Sequence, residues 1–214
     1  MSLTRHDVEN IAHLARLAIT ESELPVYVDS PMASEALNYY IARVAELDED
    51  VRPAQKSVSA FATSRFQTIA STQQSKELTA SKRSAIVISS SGMATGGRVL
   101  HHLAAALPDT RNTVLFVGHQ AVGTRGRLLV EGARDVRIHG RLVPVHAHVA
   151  KIDSMSAHAD RGEIVRWLRT MATAPSCLCL VHGEPHPMDA LQQMIVQQLG
   201  WNTLTPAHQQ SIAI

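Results

Sequence analysis

The chain has 214 residues, of which 45% are hydrophobic and 18% are charged, and its formal net charge is +1. This length suits one large domain or about one and a half small ones, and the composition is typical of a globular α/β protein. No apolar run approaches the roughly 20 residues of a membrane-spanning helix. The start lacks the basic flank and apolar core of a signal peptide. The composition therefore predicts a soluble, cytoplasmic protein.

Charge is distributed unevenly along the chain. Residues 1–50 carry ten acidic and three basic side chains, whereas residues 82–141 carry nine basic and three acidic ones. A solvated basic surface is the usual explanation of such a block. Here the block coincides with two glycine-rich loops, described below, and that coincidence favours a polyanionic partner.

Residues 3–19 predict an amphipathic helix, because Val8, Ile11 and Ala15 recur at helical spacing. Residues 1–24, with the sequence MSLTRHDVENIAHLARLAITESEL, resemble the first helix of the C subunit of the bacterial aspartyl/glutamyl-tRNA amidotransferase. In that family the segment packs against the amidase subunit. The resemblance leaves open an amidotransferase-related interaction protein as one function.

The segment PVYVDSPMA, residues 25–33, predicts a short strand followed by a turn that opens a helix. Either Asp29 or Ser30 can cap this helix, and Pro31 suits its first turn. Residues 51–81 are rich in Ser, Thr and Gln and have weak periodicity. They predict short helices and loops without evident chemistry.

Two β-branched apolar runs, Ala85–Ile88 and Val114–Val117, are too short for helices and predict buried strands. Between them, residues 97–107 have apolar side chains at helical spacing, and the pattern stops at Pro108. A strand, a helix and a second strand in this order make one crossover of a parallel sheet. We therefore expect an α/β fold with a mostly parallel central sheet and helices on both faces.

Each of these strands is followed by a loop that suits an anion. Glycines, hydroxyl groups and an arginine stand where a helix begins, and free backbone N–H groups and the helix dipole favour phosphate there. Two ordinary glycine-rich turns are the alternative, but two such loops at strand ends of one sheet favour a phosphate-bearing ligand. The candidate phosphate-binding residues are Ser89, Ser91, Gly92, Thr95, Gly97 and Arg98 in the first loop, and His119, Gly123, Thr124 and Arg127 in the second.

The C-terminal third alternates strands and helices. A hairpin turning at Gly140-Arg141 is predicted first, then a helix, a buried strand and a final helix that ends at Gly200. The predicted ranges are Val136–His139 and Val143–Val149 for the hairpin, Glu163–Thr170 for the first helix, Leu178–Val181 for the strand and Met188–Leu199 for the last helix.

Cysteines and paired histidines give weaker signals. Cys177 and Cys179 alternate along the predicted strand, which places them poorly for bonding to each other and suggests core residues in a reducing compartment. His146 and His148 also alternate, so they share a face and could form a metal pair, although no third ligand is evident nearby.

His158 and His182 are the candidates for chemistry. His158 stands at a turn into a helix, and His182 follows a buried strand that can aim it at a site. Neutral imidazole is a zinc ligand and a general acid or base near neutral pH. A structural, hydrogen-bonded histidine is the alternative, but the turn and strand-end settings favour function.

Together these motifs resemble the β-CASP family of metallo-β-lactamase-fold ribonucleases. The matching strings, in family order, are PVYVDSPMA, AIVISSSGMATGGRVLHHL, NTVLFVGHQAVGTRGR, IDSMSAHAD and LVHGEP. The resemblance covers residue 25 to about residue 208. It implies that His158 assists at the scissile phosphate, that His182 is a late zinc ligand, and that the two loops lie along the RNA backbone. His119 replaces a tyrosine common in the family, which leaves its role open.

The main zinc motif of that family, His-x-His-x-Asp-His, does not occur in this sequence. We therefore expect a β-CASP domain over residues 25–148, and over residues 149–214 a C-terminal segment of a metallo-β-lactamase fold. The resemblance implies zinc for the full-length family, but not stoichiometric zinc in this chain alone. We expect the C-terminal part of an RNA-processing nuclease, inactive without an N-terminal half. A non-catalytic RNA-binding or assembly module is the alternative, and the partner could be that half or a second copy.

Overall fold

The computed structural model describes residues 24–46, 65–153 and 158–212. The chain forms two compact units, the first ending at residue 156 and the second beginning at residue 157. The predicted helix over residues 3–19 lies outside the described residues. None of the helices in the described ranges is long and apolar enough to cross a membrane.

Strands and helices alternate over most of the first unit, and one strand lies in residues 51–81, where the sequence predicts only short helices and loops. A short 3-10 turn, Val44–Glu46, follows the first helix. In chain order the elements are β1 (Val26–Val28), α1 (Pro31–Ala42), β2 (Phe66–Thr68), α2 (Thr72–Ala80), β3 (Ile86–Ile88), α3 (Val99–Ala106), β4 (Thr113–Val117), α4 (Arg125–Val130), β5 (Asp135–Ile138), β6 (Arg141–Pro144) and β7 (His148–Ile152).

Parallel pairing dominates this unit. Strand β1 lies between β2 and β3, with Val26 opposite both Phe66 and Ile86. Strand β4 pairs in parallel with β7, and β5 pairs with β6 as an antiparallel hairpin. The α/β class and the parallel pairing are confirmed. The described strands form separate three-stranded and two-stranded parallel sheets rather than one continuous ladder.

The prediction of one strand over Val143–Val149 is wrong. Strand β6 ends at Pro144 and β7 begins at His148, and each has a different partner. Between them, the backbone N–H groups of His146 and Ala147 both donate to the Leu107 carbonyl oxygen, at 2.8 and 2.9 Å. The carbonyl oxygen at the end of α3 thus fixes the segment between β6 and β7, and the chain passes from the hairpin to pair with β4.

The core of the first unit lies where α3, α4 and the hairpin pack around β4. Leu107 at the end of α3 is completely buried. Burying a leucine side chain stabilises a fold by about 1.5–3 kcal/mol. The buried residues of this core are Ala94, Leu100, Leu103, Leu107, Phe116, Leu129, Val136, Ile138, Val143 and Ala147.

The second unit contains α5 (Arg161–Leu168), β8 (Leu178–Cys179), α6 (Pro185–Leu199) and β9 (Thr203–Leu204), with β8 and β9 parallel. Asp160 caps α5 through a reciprocal capping box with Glu163. Helix α6 ends at Gly200, whose φ of +68° suits a residue without Cβ. The buried core is small: Val165, Leu168 and Ile195.

The cysteines are not core residues, contrary to the prediction. Leu178 and Leu180 pack against the core of the second unit. Cys179, between them, is exposed, and Cys177 is only partly buried. Side chains alternate along this segment as the sequence predicts, but the leucines and not the cysteines face the core.

Candidate nucleic-acid interface

Asp29 organises the region where β1 ends. Its side chain is completely buried, yet both carboxylate oxygens are paired. Arg98 Nη1 donates to Oδ1 at 2.7 Å, and Ser75 Oγ donates to Oδ2 at 2.5 Å. His102 Nε2 lies 2.7 Å from Oδ2. One carboxylate therefore ties the end of β1 to α2 and to the start of α3.

These partners decide the charge of Asp29. Burial by itself raises the pKa of the carboxyl group, because a charge is costly away from water. Hydrogen bonds from Ser75, His102 and Arg98, together with the charge of His102, outweigh burial and hold the pKa below its usual value. Asp29 is therefore ionised, and its carboxylate holds the neighbouring elements together through these hydrogen bonds.

Serine hydroxyls fix the first loop to the same strand end. Ser30 caps α1, since its Oγ accepts from the backbone N–H of Ala33 at 3.2 Å. The same Oγ lies 2.6 Å from Ser90 Oγ, and Ser89 Oγ donates to the Asp29 carbonyl oxygen at 2.9 Å. The first loop therefore begins in a defined position beside the N-terminus of α1.

The two glycine-rich loops contact each other. The Gly126 N–H donates to the Met93 carbonyl oxygen at 3.0 Å. Arg125 Nη1 donates to the carbonyl oxygens of Ala94 at 3.2 Å and Thr95 at 3.4 Å. A Cβ added at Gly126 would lie 2.8 Å from the Gly92 carbonyl oxygen, so this approach requires glycine. Residues 89–98 and 118–127 thus form one joined surface, which we call the loop pair.

The sequence-predicted phosphate residues have different positions in the loop pair. Gly92, Thr95, Gly97, His119 and Gly123 are exposed. Positive φ values of +83° and +82° explain the glycines at positions 97 and 123. These exposed groups are accessible to a ligand.

Four of the predicted residues make contacts within the protein. Arg98 is directed at Asp29. Thr124 caps α4 by accepting from the Arg127 N–H at 3.2 Å, and Arg127 Nε lies 2.5 Å from Glu131 Oε1. Ser89 is bonded to the Asp29 backbone. Phosphate binding by all these residues remains a prediction.

Two buried polar side chains add a feature that the sequence did not reveal. Gln120 is almost completely buried, and neither atom of its amide has a hydrogen-bond partner among the described residues. Its Cγ lies 3.0 Å from the position of a Cβ at Gly126, where the two loops meet. The hydroxyl of Ser91 is likewise buried and without a partner in the described ranges. The alternation of polar and apolar residues gives no signal for an inward-pointing glutamine in a loop.

His158 and His182 belong to the second unit. Both side chains are exposed. His158 stands two residues before the Asp160 cap of α5, and His182 follows β8 with a positive φ of +64°. A non-glycine residue with positive φ is uncommon and costs conformational energy, which makes His182 a candidate functional position.

The described residues do not make a zinc site by themselves. Structural zinc takes four protein ligands, and catalytic zinc usually takes three and a water. Within the described ranges, no group of three or more His, Cys, Asp or Glu side chains is arranged to hold a metal ion. The exposed His146 and His148 therefore have no third ligand there. No chemical step is assigned to a metal on this chain alone.

The first unit has a parallel α/β fold, and two family models relate the chain to the metallo-β-lactamase fold. Residues 10–129 match the family model of the Beta-Casp domain. Residues 142–206 match that of the Zn-dependent metallo-hydrolase RNA specificity domain. Since the first match covers more than half of the sequence, the chain belongs to the β-CASP family.

Curated relatives agree with this family. Ribonuclease TTHA0252 of Thermus thermophilus is 34% identical over 172 residues, covering 80% of this chain and 39% of that protein. The transcription termination factors FttA of Thermococcus kodakarensis and Pyrococcus horikoshii are each 30% identical over 90% of this chain, covering 31% and 30% of their own lengths. The chain thus spans about a third of these relatives.

These matches do not support the resemblance of residues 1–24 to an amidotransferase subunit. The Beta-Casp match begins at residue 10, inside that segment. The amidotransferase resemblance stays a prediction about residues that the structure does not describe.

Proposed function

We propose that the chain is the C-terminal part of a zinc-dependent RNA-processing nuclease, and that its loop pair binds the RNA backbone. The observation that carries the proposal is the junction of the two loops through Gly126 and Arg125. It brings the exposed Thr95 and accessible glycine backbone from two strand ends onto one surface. Backbone N–H groups, hydroxyls and basic residues are the groups that contact nucleic-acid phosphates.

We assign residues 25–148 to the β-CASP domain and residues 149–214 to the metallo-β-lactamase segment. The family matches cover residues 10–129 and 142–206, so the second match begins seven residues before the proposed boundary. The two compact units divide at residues 156 and 157, eight residues after it.

In this proposal His158 is the catalytic residue of the chain. Hydrolysis of a phosphodiester requires a proton for the leaving oxygen, and an exposed imidazole can donate it near neutral pH. His182, three residues beyond β8 and with a positive φ of +64°, would contribute one zinc ligand. Zinc in the complete enzyme supplies an activated water and stabilises charge on the phosphate.

Activity then requires ligands from a metallo-β-lactamase half. The test is cleavage of labelled single-stranded RNA, with added zinc or manganese, by the 214-residue chain alone and by the chain mixed with such a half from a β-CASP relative. We expect no turnover by the chain alone, and turnover in the mixture that is lost in both His158→Ala and His182→Ala.

Two results would contradict the proposal. Turnover by the chain alone that disappears in both histidine variants would show that it carries a complete active site. Stoichiometric zinc in the purified chain, measured by elemental analysis, would show that the metal site is complete.

The variant His208→Ala is the matched control, because His208 is an exposed histidine near the end of the described residues.

A further inference from the structure

Two histidines stack on each other at the surface of the first unit. His139 lies at the tip of the β5–β6 hairpin and His101 lies on α3. Their imidazole rings are stacked, with centroids 4.5 Å apart and 27° between the ring planes. Both residues are exposed. The pair therefore presents an aromatic surface to solvent.

The backbone at the hairpin tip fixes the position of His139. Because Ile138 pairs with Arg141, only two residues join β5 to β6. His139 has a φ of +47° and Gly140 a φ of +77°, and a type I′ turn requires positive φ at both of these positions. The sequence Asn-Gly is preferred in such a turn. The turn thus places the side chain at position 139 but does not itself require an imidazole ring.

Arg125 connects this hairpin to the loop pair. Its Nε donates to the carbonyl oxygen of Arg137 at 2.5 Å, and its Nη1 donates to two carbonyl oxygens of the first loop. Arg137 precedes His139 by two residues, and His101 lies one helical turn after the end of the first loop. The stacked histidines therefore lie beside the surface that is proposed to bind the RNA backbone.

Unbalanced positive charge accompanies the rings. The contacts of the Arg125 guanidinium in the described ranges are with carbonyl oxygens, and Arg137 Nη1 donates to the carbonyl oxygen of Gly140 at 3.0 Å. These acceptors are neutral, so neither cation is balanced by a carboxylate there. The hairpin has one acidic residue, the exposed Asp135, which lies at its other end. Cationic groups that attract a phosphate backbone, next to aromatic rings that stack on bases, are typical of sites for single-stranded nucleic acid.

We propose that His101 and His139 form a stacking site for an unpaired nucleobase of RNA whose backbone crosses the loop pair. The inference rests on the proposed RNA binding and adds a contact to the base. Histidine is among the side chains that stack on the splayed-out bases of single strands, and stacking tolerates any sequence because every base has a π-face. A base inside a duplex does not expose its face, so the site should favour single strands.

The test is fluorescence anisotropy with a labelled RNA single strand and with the same strand in a duplex, at pH 8, where imidazole is largely neutral. His139→Asn removes one ring and suits the turn, and His101→Gln removes the other from the helix surface. Each should weaken binding of the single strand by at least about fivefold. The slope of log K against log salt should not change, because no phosphate contact is lost, and duplex binding should not change either.

Two further variants serve as controls. His101→Tyr keeps an aromatic ring on the helix and should bind the single strand as the unsubstituted chain does. His208→Gln removes an exposed histidine of the second unit and should also bind normally. Urea denaturation should show no loss of stability in His139→Asn, because Asn-Gly suits the turn.

The outcomes separate this inference from the proposed function. Unchanged single-strand affinity in either His139→Asn or His101→Gln would overturn the stacking site and leave RNA binding by the loop pair intact. An equal loss for the duplex, or a changed salt slope, would also overturn it. Failure of the unsubstituted chain to bind RNA would overturn both proposals.

Discussion

The guanidinium group of Arg98 lies 2.7 Å from the carboxylate of Asp29, which is completely buried at the end of β1. Arg98 Nη1 also donates to the carbonyl oxygen of Ile69 at 3.1 Å, just beyond β2. One side chain from the start of α3 therefore joins two neighbouring strands. Within the first loop, Arg98 contributes to the stability of the scaffold that carries the proposed RNA contacts.

Replacing Arg98 with alanine should destabilise the protein. Removing one partner of a buried ion pair leaves an uncompensated charge and costs about 3–5 kcal/mol. Ser75 and His102 still contact the carboxylate, so we expect a loss near the lower end of that range. Urea denaturation monitored by circular dichroism measures the free energy of unfolding.

Arg111→Ala is the matched control for that experiment. Arg111 also pairs with an aspartate, since its Nη2 lies 2.6 Å from Asp109 Oδ2, but its side chain is largely exposed. Exposed ion pairs contribute little to stability. Equal losses of unfolding free energy in Arg98→Ala and Arg111→Ala would show that burial of Asp29 does not determine how much its ion pair stabilises the protein.

Acid should weaken the same network. Because the pKa of Asp29 in the folded protein is lowered from 3.8, its ionised form contributes stability that is fully present above the unfolded-state value. This contribution is lost as the pH falls through 3.8 and the folded-state pKa. We expect Asp29→Asn to be less stable than the unsubstituted protein at pH 7, with the difference shrinking toward pH 2. A difference that does not change with pH would contradict this.

Much of the fold could be predicted because it follows from local patterns. The β-branched runs form β3 and β4, and the helix between them spans Val99–Ala106 against a predicted 97–107. The two strands are not buried as predicted, because Val87, Ile88, Leu115 and Val117 are exposed. The break between β6 and β7 could not be predicted, because it depends on the carbonyl oxygen of Leu107, about forty residues earlier. Apolar periodicity does not report such a long-range bond.

For the candidate site, too, the local features could be predicted from the sequence and the long-range contacts could not. Glycine and hydroxyl spacing identified both loops at strand ends, but the two strands pair in separate sheets and do not form the predicted crossover of one sheet. The sequence did not show that Arg98 is directed at Asp29 or that Gln120 is buried between the loops. A basic residue in an anion-suited loop fits either a ligand or a buried carboxylate equally well, and only the three-dimensional arrangement distinguishes them.

The loop pair should depend on the absence of a side chain at Gly126. A Cβ there would lie 2.8 Å from the Gly92 carbonyl oxygen, which is closer than a Cβ approaches backbone atoms, and 3.2 Å from the Met93 carbonyl carbon, which is a tight contact. Gly126→Ala should therefore separate the loops, lowering the free energy of unfolding by about 1–3 kcal/mol as overpacked substitutions do. It should also weaken binding of labelled single-stranded RNA, measured by fluorescence anisotropy.

Gly96→Ala provides the control within the same surface. Nothing lies within 4 Å of a Cβ at Gly96, and its backbone does not have a positive φ. This variant should retain both stability and RNA affinity. If Gly126→Ala lost stability but bound RNA normally, the junction of the loops would not matter for binding.

Arg127 tests whether the loop pair contacts phosphates. Arg98 is unsuitable for this purpose, since its loss would disturb the Asp29 network. Arg127 lies at the surface beside Glu131, with 2.5 Å between Arg127 Nε and Glu131 Oε1. If its guanidinium contacts one phosphate, Arg127→Ala should reduce the slope of log K against log salt by about one and weaken binding across RNA sequences.

Glu131→Gln should leave the slope unchanged and strengthen binding at low salt, because it removes a competing carboxylate. Arg111→Ala, at an exposed turn elsewhere, should change neither. An unchanged affinity and slope in Arg127→Ala would assign this arginine to its ion pair alone.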